Sequence, residues 1–250
     1  MMRNIKLVLQ YDGSRYSGWQ SQKHEENTIQ GKLTVLLERL LGEAVELSGS
    51  GRTDAGAHAL GQVANFRTRS ELSCEELKKE LNRYLPEDIA VLDAQEMPLR
   101  FHSRLNAVRK TYRYRIWNSP VHNVFERKYV YAVEQKLDED AMRKAASLLS
   151  GTHDFRAFCS YRRTKKSTVR TLEQIAVERK GDELCLSFTG DGFLYHMVRI
   201  LTGTLIEVGL HKRKPEEMER ILSSLDREQA GFTAPAQGLF LVSVEYGGFR

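Results

Sequence analysis

The chain has 250 residues, of which 41% are hydrophobic, and carries 38 Lys and Arg against 33 Asp and Glu, for a net charge of +5. A chain of this length and apolar content can bury a sizeable core, which excludes a largely disordered protein. Three cysteines, far apart and in no CxxC pair, exclude a disulfide framework. With no apolar stretch long enough to span a bilayer, we expect a protein of the reducing cytoplasm. The positive charge suits a polyanionic partner.

The first hundred residues predict a compact α+β unit. Apolar residues recur at strand spacing and helix spacing in turn, and a glycine-rich loop separates two short strands. The predicted elements are a strand at 5–11, a helix capped by Thr28, strands at 45–48 and 62–66, a helix opened by the Ser73–Glu76 capping box and stopped by Pro86, and a strand at 89–94. This order is that of the ferredoxin-like split βαβ pattern, which forms an antiparallel sheet with both helices on one face.

The second part of the chain predicts a related but more elaborate α+β unit. Its elements are strands at 110–118 and 128–133, a helix from Asp138 to Leu149 closed by Gly151, a hairpin of strands at 172–179 and 184–188, helices at 193–208 and after Pro215, and a strand at 239–246. The fold class is therefore α+β with two ferredoxin-like halves. We place an N-terminal half with the glycine loop at 1–105 and a C-terminal half at 106–250.

Two stretches of the chain contain no acidic residue and mix arginines and lysines with aromatic residues. They run from 97 to 125 and from 155 to 172. Such composition suits a nucleic-acid backbone, with rings available for an unstacked base. A solvated charged face is the alternative for either stretch taken alone. In the second stretch, four cations are candidates for substrate binding: Arg162, Arg163, Lys165 and Lys166.

The segment KTYRYRIW has the alternation of a strand. A period of two places Tyr112 on the same face as Tyr114 and Ile116, so packing is its commoner role and catalysis the rarer one. The strand pattern alone leaves both roles open.

The segment FLYHMVRILTGTLIEV predicts a helix that is apolar on nearly all sides, and such a helix is buried. Arg199 is its only full charge before Glu207. A buried arginine requires a carboxylate partner, whereas an arginine that snorkels to solvent requires none. His196, one turn earlier, is a candidate for polar support.

The segment GSGRTDAGAH, residues 49–58, carries an aspartate where a phosphate-binding loop would have its third glycine. A carboxylate at that place would repel phosphate. Asp54 is therefore either the cap of a turn or an ionised carboxylate with a chemical role.

Taken together, GRTDAGAH, KTYRYRIWN and HMVRILTG resemble the tRNA pseudouridine synthase A family, whose signature is a GRTDAGVH-like loop. YDGSRYSGWQSQ, GQVANF, RFHSR, HDFRAF and GLFLVSVEY follow in the family's order, so the resemblance covers most of the chain. The chain departs from the family at Ala57, where valine is usual, and in the basic loop at 160–170.

This resemblance implies a joint antiparallel sheet with a central basic cleft, and a homodimer that isomerises uridine to pseudouridine at positions 38–40 of the tRNA anticodon stem-loop. It implies that Asp54 is the essential carboxylate, with Arg199 as its partner, and that Tyr112 lies against the uracil. Arg52 is implied to displace the base, and we assign His58 with it to substrate binding. Because the product is an isomer of the substrate, we expect no cofactor and no metal.

Two other functions are alternatives to this one. A non-catalytic RNA-binding protein or tRNA chaperone would explain the basic stretches, but not an acid in the cleft. A phosphotransferase would need a glycine-lysine phosphate loop and an acidic metal site, which the sequence lacks.

Replacing Arg162, Arg163, Lys165 and Lys166 by glutamine is expected to weaken tRNA binding and to flatten its salt dependence. For every phosphate that the protein no longer neutralises, the slope of log affinity against log salt falls by roughly 0.7 to 0.9. Filter binding over a series of salt concentrations measures this slope, and an unaltered slope would remove the loop from the interface.

Overall fold

A computed structural model of the chain describes residues 1–22, 25, 27–160 and 167–248, so the four cations at 162–166 lie outside the described residues. The fold is mixed α+β, with ten strands and five α-helices in these ranges. In chain order they are β1 (Arg3–Tyr11), α1 (Ile29–Leu41), β2 (Ser48–Gly49), β3 (His58–Thr68), α2 (Cys74–Tyr84), β4 (Ile89–Met97), β5 (Ala107–Trp117), β6 (Tyr131–Ala132), α3 (Glu139–Leu149), β7 (Gly151–Asp154), β8 (Val169–Lys180), β9 (Glu183–Gly190), α4 (Met197–Gly209), α5 (Glu217–Ser224) and β10 (Leu239–Tyr246).

The chain divides into two compact units. The first consists of Met1–Val108 with Phe240–Arg250, and the second of Arg109–Leu239. No helix within the described ranges is long and apolar enough to cross a bilayer.

In the first unit β1 is the central strand. It pairs antiparallel with β3 on one side and with β4 on the other, and β2 pairs antiparallel with β3. α2 packs on β4, and α1 contacts α2. The side chains of Ile5, Leu7 and Leu9 are fully buried, as are Leu33 of α1 and Leu81 of α2. The core therefore lies between the two helices and the sheet.

The expectation of antiparallel pairing throughout is wrong. β10 pairs with β3 in parallel, through Phe240 opposite His58 and Leu241 opposite Ala59. In the second unit β6 also pairs in parallel, with β5. Each parallel contact consists of two residue pairs. A tight hairpin cannot join parallel strands, which need a longer connection along the chain.

In the second unit, β5 pairs antiparallel with β9, β9 with β8, and β8 with β7. The predicted hairpin is confirmed: Lys180 and Glu183 are paired, and Gly181 has φ +61°, the left-handed conformation that a tight turn requires. α3 packs on β8 and α4, and α5 contacts α3 and β7.

The predicted helix starts at Thr28, Ser73 and Asp138 are confirmed, because each side chain accepts a hydrogen bond from a main-chain N–H of the first turn. At Ser73 the capping box is complete, with Glu76 bonding back to the main chain of the cap residue. These helix caps could therefore be predicted from the sequence.

Two predicted strands are much shorter in the structure because side chains satisfy their main-chain groups. Gln30 donates to the carbonyl of Leu47 at 2.8 Å, and the N–H of Val45 donates to Glu38 at 3.2 Å. The strand predicted at 45–48 is thus only Ser48–Gly49. Near 128–133 the amide of Gln237 donates to the carbonyl of Val130 at 2.9 Å, and only Tyr131–Ala132 is a strand.

α4 confirms the prediction of a buried helix, since 11 of its residues are buried and Arg199 is not among them. It begins at Met197 and not at 193, because His196 has φ +61° and breaks the helical path. Gly203 brings the helix against the carbonyl oxygen of Phe232, where a side-chain carbon would collide with that oxygen. The helix is therefore seated closely on the segment that follows α5.

Candidate active site

The glycine-rich segment forms a loop between β2 and β3 in the first unit. Ser50 and Thr53 turn inward and are 0% and 6% exposed, whereas Arg52 is exposed and Asp54 is half-buried. The inward residues anchor the loop, and of its two charged residues Arg52 is the more exposed.

Buried hydrogen bonds hold this loop from below. The hydroxyl of Ser50 donates to Oε1 of Gln62 at 2.6 Å, and Nε2 of Gln62 donates to the carbonyl of Gly51 at 3.0 Å. The hydroxyl groups of Tyr11 and Thr53 are 2.8 Å apart. Nε2 of Gln62 also donates to the phenol oxygen of Tyr11, at 3.4 Å. Each such bond contributes about 1 kcal/mol to stability, and a buried group left without its partner costs roughly 1–3 kcal/mol.

The segment after β1 clasps the loop from its other side. The N–H of Trp19 donates to the carbonyl of Thr53 at 3.1 Å. Gly18 has φ +91°, and a side-chain carbon there would approach the same carbonyl oxygen to 2.7 Å. Gly13 likewise faces the carbonyl of Ala57 with no room for a side chain. Main chain thus packs directly on main chain, which only glycine permits.

The turn at the catalytic candidate is closed by main-chain atoms. The N–H of Ala57 donates to the carbonyl of Asp54 at 3.1 Å, and Gly56 has φ +78°. The N–H of Gly56 donates to the carbonyl of Tyr16 at 3.3 Å. The turn therefore has a source of stability other than the Asp54 carboxylate, which weakens the interpretation of that residue as a simple cap.

His58 lies beneath the loop and not on its surface. Its side chain is 1% exposed, its ring stacks on Phe240 with centroids 4.6 Å apart, and its Nδ1 accepts from the N–H of Gly13 at 3.1 Å. Asp12 Oδ1 is 3.2 Å from the same nitrogen. Binding of substrate by His58 stays a prediction, and its burial favours support of the Gly13 turn instead.

Arg52 is oriented at the surface by a side-chain contact. Its Nε donates to Oε1 of Gln20 at 3.1 Å, and Gln20 in turn donates to Gln30 of α1 at 2.6 Å. The guanidinium group is thus oriented by a short polar chain that leads back to a helix.

In the second unit Tyr112 lies on β5, 8% exposed, with its ring edge-on to Phe193 at a centroid distance of 5.0 Å. Tyr114, two residues on, is fully buried and donates its hydroxyl to the carbonyl of Pro235 at 2.7 Å. The predicted alternation of β5 is confirmed, because Arg113, between the two tyrosines, is exposed.

Arg199 projects from α4 and is half-buried. Its Nε donates to the carbonyl of Ala234 at 2.7 Å, while its own carbonyl accepts from the N–H of Ala234 at 3.1 Å. This reciprocal pair fixes the side chain against the segment that precedes β10. One turn earlier, His196 has its Nδ1 2.9 Å from the hydroxyl of Ser160, which agrees with a supporting role.

Two arginines of the first basic stretch form ion pairs with acids. Arg115 contacts Glu183 at 2.6 Å and Glu126 at 2.9 Å, and the Arg115 guanidinium holds the pKa of the Glu183 carboxyl below its usual range. Arg109 contacts Glu173 at 2.8 Å. The partner acids lie outside this stretch, so its composition alone does not show that these two arginines are paired.

The structure places Arg52 and Asp54 on one loop of the first unit, with His58 buried at the start of β3, and it places Tyr112 and Arg199 in the second unit. Sequence reasoning missed Tyr11, Thr53 and Gln62, which hold the loop. The sequence showed the alternation of buried residues along β1 and β3. It did not show that their polar side chains form hydrogen bonds with one another. No group of three or more His, Cys, Asp or Glu is placed to hold a metal within the described ranges.

Comparison with known proteins shows the family to which the chain belongs. A family model described as tRNA pseudouridine synthase matches residues 7–106 and 145–247. The chain is 49% identical over 247 residues to tRNA pseudouridine synthase A 2 of Clostridium tetani, covering 98% of this chain and 100% of that protein. It is 49% identical over 245 residues to tRNA pseudouridine synthase A of Bacillus sp. (strain KSM-64), with the same shares covered.

The class of protein is thus an isomerase that modifies RNA. The chain belongs to the tRNA pseudouridine synthase family. The resemblance inferred from the sequence motifs is confirmed, and this favours an enzyme over a binding protein without activity.

Replacing Arg199 by leucine is expected to destabilise the protein by about 2 kcal/mol, because the carbonyl of Ala234 loses its part-buried donor. Pseudouridine formation should fall as well. Urea denaturation followed by circular dichroism measures the stability, and Arg199→Lys is the matched control that keeps the charge but not the Nε donor. A leucine variant as stable and active as the wild type would contradict both roles.

Proposed function

We propose that this protein isomerises uridine to pseudouridine in the anticodon stem-loop of tRNA, at positions 38–40, with Asp54 as the essential catalytic group. The observation that carries the proposal is the geometry of the 50–57 loop. Its main chain is fixed from two sides, and it presents a half-buried carboxylate next to an exposed guanidinium. A turn without chemical work would need neither charge.

The reaction breaks the bond between ribose C1′ and uracil N1 and forms one between C1′ and C5. C5 loses a proton and N1 gains one, so atoms and electrons balance without an oxidant, reductant or second substrate. The chain has to supply a group that acts on the nucleoside and a pocket for a base taken out of its stack. An aspartate is ionised at neutral pH and is ready without a helper base.

We assign the remaining roles as the family resemblance implies them. Arg52 displaces the target base and holds the nucleotide, for which its exposed, pre-oriented guanidinium is suited. Tyr112 offers its ring to the uracil, and Arg199 is the cation that pairs with Asp54. The reciprocal hydrogen bonding of Arg199 with Ala234 supports a fixed position for that charge.

The finer architecture is part of the proposal. In the first unit the strand order β4, β1, β3, β2, with helices after β1 and β3, supports a ferredoxin-like half. We propose a second such half, a basic cleft that takes the anticodon arm, a homodimeric assembly and a cytoplasmic location.

Asp54→Asn is expected to lower the rate of pseudouridine formation by about 1,000-fold or more, equivalent to about 4 kcal/mol of transition-state stabilisation. The amide keeps the shape of the side chain, so tRNA affinity should stay within a few-fold of the wild type. Release of tritium from C5-labelled tRNA in the presence of EDTA measures the rate. A variant that still makes pseudouridine would refute the assignment, and wild-type protein that binds tRNA but releases no tritium would favour the non-catalytic function.

Tyr112→Phe is expected to retain tRNA affinity, since the ring is kept, and to slow tritium release by about 100-fold, since the hydroxyl that carries the C5 proton is lost. Tyr84→Phe, which alters an exposed tyrosine of α2, is the control and should leave the rate unchanged. An unchanged rate in Tyr112→Phe would restrict this residue to stacking.

A further inference from the structure

We propose that Tyr11, Thr53 and Gln62 form a positioning network that sets the location of Asp54 and Arg52 in the reaction. The inference deepens the proposed function and rests on it, because it concerns the same loop. None of the three side chains touches the nucleoside in this scheme; they act through the main chain of the loop.

The network contacts the residues on both sides of Arg52, which are Gly51 and Thr53. Thr53 is also the residue before Asp54. Gln62 holds the carbonyl of Gly51, immediately before Arg52, and the Thr53 hydroxyl is held by Tyr11 between the two charged residues. Ser50, at the start of the loop, is bonded to Gln62 through its side chain and to β3 through the 2.7 Å bond from its N–H to the carbonyl of Val63. Three anchors close together in the chain therefore define where the two charged residues point.

The donors and acceptors of the network are matched. Gln62 uses its amide hydrogens on Gly51 and Tyr11, and its carbonyl oxygen accepts from Ser50. The hydroxyl groups of Tyr11 and Thr53 complete the network with the hydrogen bond between them, in which either oxygen can be the donor. Burial raises the pKa of Tyr11 to about 12, so its phenol keeps its proton at neutral pH.

The network also differs from ordinary loop anchoring in its burial. Gln62 and Ser50 are 0% exposed and Tyr11 is 4% exposed, so water cannot replace a lost partner. Tyr11 and Gln62 belong to β1 and β3, which are paired over most of their length, so the anchors share one rigid base. A catalytic group set on such a base keeps its geometry when the substrate binds.

The experiment compares single-turnover rates of tritium release at saturating protein for Tyr11→Phe, Thr53→Val and the double variant. Each single change deletes one hydroxyl from the 2.8 Å contact and is expected to slow the reaction about 10-fold or more, because small displacements of a reacting group are costly. The protein concentration at half-saturation should change by less than about threefold. Thr53→Ser, which keeps the hydroxyl, should restore most of the rate.

The double variant separates positioning from general damage. Both changes remove the same contact, so the double variant should be no slower than the slower single variant. Thr68→Val is the matched control: it deletes a buried hydroxyl near the far end of β3, where Thr68 bonds to Glu43 and to the N–H of Ser70, and its rate should equal that of the wild type.

Thr53→Val and Tyr11→Phe variants that react as fast as Thr68→Val would overturn the inference, as would losses that multiply in the double variant. If Thr53→Val fails to fold, Tyr11→Phe and Thr53→Ser decide the matter, because neither adds an apolar group. Asp54→Asn in the same assay separates the two levels. An inactive Asp54→Asn beside fast hydroxyl variants would refute the positioning network alone, whereas an active Asp54→Asn would refute the proposed function and the network with it.

Discussion

The site depends on a loop whose main chain is held by buried polar side chains. Residues 50–57 have little regular structure, and an isolated chain of this sequence would populate many conformations. Ordering it costs conformational free energy, which contacts from outside the loop have to offset. Hydrogen bonds from Gln62 and Tyr11, together with the Trp19 N–H, provide that compensation in a region closed to water. The loop keeps one conformation because its hydrogen-bonding groups are paired with these fixed partners.

The same loop explains why arginine and aspartate stand between glycines. Thr53 is buried as an anchor, whereas its neighbours Arg52 and Asp54 are exposed and half-buried. The glycines allow the N-terminal segment to lie directly on the loop, as at Gly18, where Trp19 can then reach the Thr53 carbonyl. Charge, anchor and glycine are thus three parts of one arrangement, and each would be poorly placed without the others.

Much of the fold could be predicted from the sequence where local chemistry decides. The caps at Thr28 and Ser73 and the tight turn at Gly181 depend on residues a few positions apart, and the structure has them. The strands at 45–48 and 128–133 were overestimated because Gln30 and Gln237 satisfy their main-chain groups from distant positions. The parallel pairing of β10 depends on contacts between strands far apart in the chain, which no local pattern contains.

The charged residues of the candidate site stood out in the sequence, and their roles stay predictions, whereas the residues that support them did not stand out. Asp54 drew notice because it breaks a glycine pattern. Tyr11 and Gln62 sit within strands where polar residues usually mark the solvent face, and only their mutual burial shows their role. The ion pairs of Arg115 were not predicted for a related reason, since Glu183 and Glu126 lie outside the basic stretch.

The glycines at 13, 18 and 49 limit the amino-acid substitutions that the protein tolerates. At each of them a single added carbon would strike the Ala57 carbonyl, the Thr53 carbonyl or the Trp19 ring. Even alanine would collide with its neighbours at these positions, so no substitution of these glycines is conservative. Substitutions of these glycines should therefore disturb the loop, although the glycines themselves contribute no functional group.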